Sequence, residues 1–99
     1  MIKYITKPEA ISIFECHTCS HCDMIAQNFI ISGSTYTYEC FTDKHVYKII
    51  IDVINNQLIE SRYNKATDKI FTFYHNIRSN VSHLLAKRYM EFKIEKLGY

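Results

Sequence analysis

Between Thr35 and Tyr63 the chain alternates in a way that leaves paired strands as its simplest outcome. Thr35-Tyr36-Thr37-Tyr38-Glu39-Cys40-Phe41 interleaves polar with aromatic and apolar residues that suit a pleated sheet. After Thr42-Asp43-Lys44 a second run, His45 to Ile54, is rich in Val, Ile and Tyr, and the two are expected to pair as a hairpin. Asn55-Asn56 tolerates the positive φ of a tight turn and leads into a third run, Gln57 to Tyr63. An antiparallel meander is therefore expected.

Upstream, Ile2 to Thr6 reads as a short strand. Thr6 and Glu9 have the spacing of a capping box, and Pro8 falls in the first turn, where proline is tolerated, so a helix should begin here. Ala10, Ile13, Phe14, His17, His21, Met24, Ile25 and Phe29 share one side at helical spacing, and Ser32-Gly33-Ser34 marks the expected stop. The short polar residues from Cys16 to Cys22 are middling helix formers, so a break at Thr18 to Ser20 and a continuous helix are both open.

Downstream, Ile70, Phe73, Tyr74, Ile77, Val81, Leu84, Leu85 and Phe92 predict a helix running from after Thr67-Asp68 to Gly98. Some 30 helical residues would reach roughly 45 Å, beyond a domain core whose radius of gyration is near 13 Å. Either the helix breaks near Ser79-Asn80 or its end docks elsewhere. The apolar stripe loses its order after Leu85, leaving Tyr89, Phe92, Ile94 and Leu97 as candidates for a homodimer interface; cover from the strands or the first helix is the alternative. The expected fold is α+β in the order β-α-β-β-β-α. Its mostly antiparallel sheet has about four strands, the helices lie on one face, the carboxy-terminal helix is long, and residues 1–99 form a single domain.

Composition narrows the class. Hydrophobic residues make up 47% and charged residues 22%, a globular balance that argues against disorder. With two Gly and one Pro there is no linker-like tract. The amino terminus lacks the apolar run of a signal peptide, which favours an intracellular protein. The formal charge is +2 but uneven. Residues 65–96 carry seven basic against three acidic side chains, leaving five against seven elsewhere. Lys69, Arg78, Lys87 and Lys93 are the candidates for a nucleic-acid contact, with solvated helix positions as the alternative.

Chemistry concentrates in Cys16-His17-Thr18-Cys19-Ser20-His21-Cys22. In a tight knuckle, Cys16, Cys19 and Cys22 with Cys40, His17 or His21 could complete a tetrahedral zinc site. In an unbroken helix the cysteines spiral away from one another and the histidines share the apolar side. Zinc, disulfides and free thiols all stay open, as does a thiol nucleophile at Cys16 or Cys22 activated by a histidine. Tyr36, Tyr38, Phe41, Tyr47 and Tyr63 could form a base-stacking platform or, as the simpler reading, fill the core. There is no phosphate-cradling glycine loop, G-x-S-x-G or H-E-x-x-H.

The texture of the whole chain is rich in Ile, Tyr and Lys, as in Tyr47-Lys48-Ile49-Ile50-Ile51, and poor in Gly and Pro. In this it resembles the small proteins of lipothrixvirus-like filamentous viruses that infect archaea of hot acidic springs. That resemblance implies an accessory protein in the host cytoplasm, thermally stable and tolerant of intracellular disulfides. The expected function is a non-enzymatic binding or scaffolding module, homodimeric, with a protein or nucleic-acid partner. The rivals are a zinc-stabilised nucleic-acid binder and a cysteine-dependent enzyme or redox protein.

Overall fold

The computed structural model describes residues 1–18 and 23–97. Helix α1 (Lys7–Thr18) is followed by five strands, β1 (Met24–Ser32), β2 (Thr35–Thr42), β3 (His45–Asp52), β4 (Gln57–Asn64) and β5 (Lys69–Asn76), and then by helix α2 (Ser79–Leu97). The fold is α+β with an antiparallel sheet in the order β1-β2-β3-β4-β5, so each strand pairs with its neighbours in sequence and β1 and β5 are the edges.

The expected meander is present and extends by one strand on each side. The segment read as helix across Met24, Ile25 and Phe29 is strand β1, paired to β2 with Phe29 opposite Tyr38. Ser32-Gly33-Ser34 turns a hairpin and ends no helix. Gly33 has φ +58°, a positive value at the first central position of a two-residue loop, which suits glycine. The segment from Ile70 to Asn76, read as the start of a long helix, is β5, with Thr67-Asp68 in its hairpin turn. The helix begins at Ser79, the break point that the length argument offers, and at 19 residues spans about 28 Å. At the amino terminus the expected strand reduces to one parallel bridge between Tyr4 and Asn76.

Local chemistry explains the boundaries. Thr6 and Glu9 cap α1 reciprocally: the Glu9 amide donates to Thr6 Oγ1 at 3.3 Å, and the Thr6 hydroxyl donates to Glu9 Oε1 at 2.8 Å. Asp52 closes the β3–β4 turn by accepting from the Asn55 amide at 3.0 Å and its side-chain nitrogen at 2.8 Å, while Asn56 takes φ +52°. Asn64 accepts from Ala66 and Thr67 in the next turn. Ser82 joins the start of α2 to the sheet, its hydroxyl lying 2.8 Å from Asn56 Oδ1.

The core forms where one face of the sheet meets the helices. Tyr38, Cys40, Ile49, Ile51 and Leu58 are buried with Ala10 and Phe14 of α1 and Val81, Leu85 and Tyr89 of α2. Phe14 meets Phe92 edge-on at 5.7 Å, and Arg88 pairs with Glu15, so the helices also contact each other. Among the described residues, no helix is long and apolar enough to cross a membrane.

Candidate functional site

Two regions stand apart from the core: a polar corner at the end of α1, and the outer edge of the sheet at β5.

Alternation places Glu60 and Arg62 of β4, Tyr47 of β3 and His75 of β5 on the sheet face that carries the core, beyond its apolar centre. α1 delivers His17 to the same corner. Glu60 bridges two histidines: Oε2 lies 2.6 Å from His75 Nε2, and Oε1 lies 3.6 Å from His17 Nε2. His17 Nδ1 lies 2.9 Å from the Ile13 carbonyl, so that nitrogen carries the proton. Next to this cluster, Tyr47 stacks on His45 at 5.3 Å and lies under the Arg62 guanidinium at 5.6 Å. Cys16, His17, Tyr47 and Arg62 line a cavity of about 200 Å³.

The cysteine and histidine set of the expected zinc site does not converge among the described residues. Cys16 is exposed on α1, whereas Cys40 is buried in the sheet, where burial pushes its thiol upward despite a hydrogen bond from Tyr38. Cys19, His21 and Cys22 lie outside the described residues. His17, the remaining candidate, faces Glu60. Among the described residues no three His, Cys, Asp or Glu side chains are arranged to hold a metal ion. A helix continuing through Met24, Ile25 and Phe29 is overturned, since Met24 starts a strand; the expected break at Thr18 to Ser20 falls partly outside the described residues.

The four basic candidates are spread out. Lys69 opens β5 and Arg78 follows its other end, about 23 Å away along an eight-residue strand. Arg78 is engaged over the Tyr4 ring at 5.5 Å. Lys87 and Lys93 lie further along α2, Lys87 exposed and Lys93 half-buried. The proposed stacking platform is divided between faces: Tyr36, Tyr38 and Tyr47 belong to the core side, whereas register places Phe41 and Tyr63 on the open side.

The candidate dimer residues need a correction. Tyr89, read as poorly covered, is fully buried: its hydroxyl donates to the Thr37 carbonyl at 3.0 Å, and its ring meets Phe29 and Tyr36 at 5.3 Å each. The sheet supplies the cover because β1, unforeseen as a strand, contributes Phe29. Phe92 is half-buried against Phe14, and Ile94 is 52% exposed. The side chain of Leu97 lies outside the described residues.

Sequence reasoning missed a long exposed apolar strand. In β5, Ile70 is 65% exposed, Phe71 54%, Phe73 57% and Tyr74 67%. Phe71 and Phe73 project on the helix-bearing side yet stay more than half exposed, while Ile70 and Tyr74 project on the open side. On that open side Ile30, Thr37, Ile50, Ile59 and Tyr74 form one cross-strand row. The available signal was that Ile70-Phe71-Thr72-Phe73-Tyr74 is β-branched or aromatic at every position.

Compared with known proteins, the chain matches no family model, no curated protein and no solved structure.

Proposed function

We propose that the protein is a non-enzymatic binding and scaffolding module that works as a homodimer. The observation that carries this reading is β5, an edge strand with four large apolar side chains more than half exposed on its two faces. Monomeric proteins blunt such edges with charges, prolines or bulges, because an uncovered row of backbone donors and acceptors recruits another chain. β5 has a single charged residue, Lys69, at its start, no proline and an unbroken register with β4.

The polar corner supports the same reading over an enzymatic one. The His17 ring faces the Glu60 carboxylate and the Ile13 carbonyl, and so stands as a structural tie between α1 and the sheet. On this proposal the protein serves inside the host cell as an accessory component of the viral type that its composition resembles. The test is mass in solution across a concentration series. A dimer at micromolar concentration is expected, and a chain that stays monomeric overturns the homodimeric reading.

A further inference from the structure

The edge of β5 is self-complementary. The Ile5 amide donates to the Asn76 carbonyl at 3.0 Å, which fixes the outward side of β5 at Asn76. The Ile77 amide, one residue on, donates inward to the Asn56 carbonyl at 2.9 Å. Backbone groups alternate along a strand, so Ile70, Thr72 and Tyr74 direct their N–H and C=O groups to the free edge, while Lys69, Phe71, Phe73 and His75 bond to β4. The amino-terminal segment bridges this edge at Asn76, and beside it Lys3 and Ile5 line a cavity of about 380 Å³ with Tyr74 and His75, a gap that separates the segment from Tyr74.

We propose that a second copy of this chain pairs antiparallel along β5, with the two-fold axis at Thr72, and joins the two sheets into one. This names the interface of the homodimer proposed above and rests on that reading. The register follows from hydrogen bonding. Thr72 faces Thr72 of the second copy, and Ile70 faces Tyr74 in both directions, so every free outward group from 70 to 74 finds a partner. Centring the axis on Phe73 would set Ile70 against Asn76, which Ile5 already occupies. Centring it on Phe71 would leave Tyr74 opposite the turn at Asp68.

Side chains agree with this register. Phe71 falls opposite Phe73 at non-hydrogen-bonded positions, where facing side chains come closest and aromatic pairs gain most. Lys69 of each copy arrives opposite His75, whose ring is held by Glu60 at 2.6 Å, so a cation meets a carboxylate. The four exposed β5 side chains of each copy present on the order of 500 Å², or about 1,000 Å² for the pair, at the lower bound of a specific interface. The opposite edge is less suited, because β1 carries a register shift between Met24 and Ala26 that bends it.

The test uses two substitutions at one position. Thr72→Pro removes an amide that points away from β4, so the intramolecular ladder survives while pairing across the edge is blocked. Thr72→Cys places two thiols across the axis at a Cα separation of about 5.5 Å, within disulfide range. The full chain is expected to be dimeric by light scattering, and Thr72→Pro monomeric with an unchanged circular dichroism spectrum. Mild oxidation of Thr72→Cys is expected to give an interchain link mapped to position 72 by peptide mass spectrometry. A dimer that survives Thr72→Pro, with no link at 72, overturns this interface and leaves the homodimer reading standing. A wild-type chain that is monomeric throughout overturns both.

Discussion

The hydroxyl of Tyr89, on α2, reaches the backbone of the sheet and donates to the Thr37 carbonyl at 3.0 Å. Tyr89 is fully buried, and burial pushes its phenol far above its ordinary range, so it stays a donor at all physiological pH values. Tyr89→Phe keeps the ring contacts with Phe29 and Tyr36 and is expected to cost about 1 kcal/mol, whereas Tyr89→Ala should cost about 3–5 kcal/mol. Urea unfolding of both variants checks this. If Tyr89→Ala were nearly neutral, the assignment of Tyr89 to the core would fail.

Glu60 accepts from His75 Nε2 at 2.6 Å, and its other carboxylate oxygen faces His17, near the end of α1, at 3.6 Å. Glu60→Gln retains the shape but loses the charge, and after discounting for partial exposure about 1 kcal/mol of stability should go with it. The His75 ring resonances should shift in the variant spectrum. Unchanged imidazole shifts would mean that the contact is absent in solution.

Cys16 and Cys40 should differ in native alkylation. Cys16 is exposed, whereas Cys40 is buried with its thiol pushed upward, so iodoacetamide should label Cys16 first and Cys40 only at the pace of opening. The pH sign follows: a pKa raised in the folded state favours the protonated thiol there, so this contribution is present below the unfolded thiol value of about 8.5 and fades as pH rises through the folded one. Cys40→Ala should flatten that alkaline loss. Equal labelling rates for Cys16 and Cys40 would contradict the burial.

Asp52 titrates in the opposite sense. Its hydrogen bonds from the Asn55 side chain and backbone lower its pKa, so its contribution is complete above about 3.9 and is lost as pH falls through the depressed folded value. Asn55→Ala should shrink the acid limb of the stability curve. An acid limb identical to that of the parent chain would show that the turn is not held this way.

Gly33 occupies a left-handed conformation with open space where a Cβ would stand. Gly33→Ala therefore suffers backbone strain without a clash, about 1 kcal/mol and some 4–8 °C in Tm. Gly33→Asn should recover part of it, since Asn tolerates positive φ. A thermal melt of the two variants decides; an alanine as stable as the parent would refute the strained turn.

Sequence alone determined the parts whose local and global signals agree. The Thr6 and Glu9 spacing specified the start of α1 through two reciprocal bonds, and the alternation from Thr35 to Tyr63 specified β2, β3 and β4 with Asn56 at positive φ in the turn. Only tertiary structure decided β1, β5 and everything built on them. Ile70, Phe73, Tyr74 and Ile77 satisfy helical spacing, yet with Phe71 they also populate both faces of a strand, and pattern cannot separate these when both faces carry large side chains. The tie is broken by β4, which pairs in register with all eight residues of β5 and hydrogen-bonds the backbone of every second one. Likewise β1 acquires its place by pairing with β2, which turns Phe29 onto Tyr89 and buries a tyrosine that the periodicity of α2 had left at the surface. Side chains propose a periodicity, but a sheet strand is chosen by a neighbour distant in sequence, and that long-range hydrogen bonding placed the exposed aromatic residues of this protein on an edge strand.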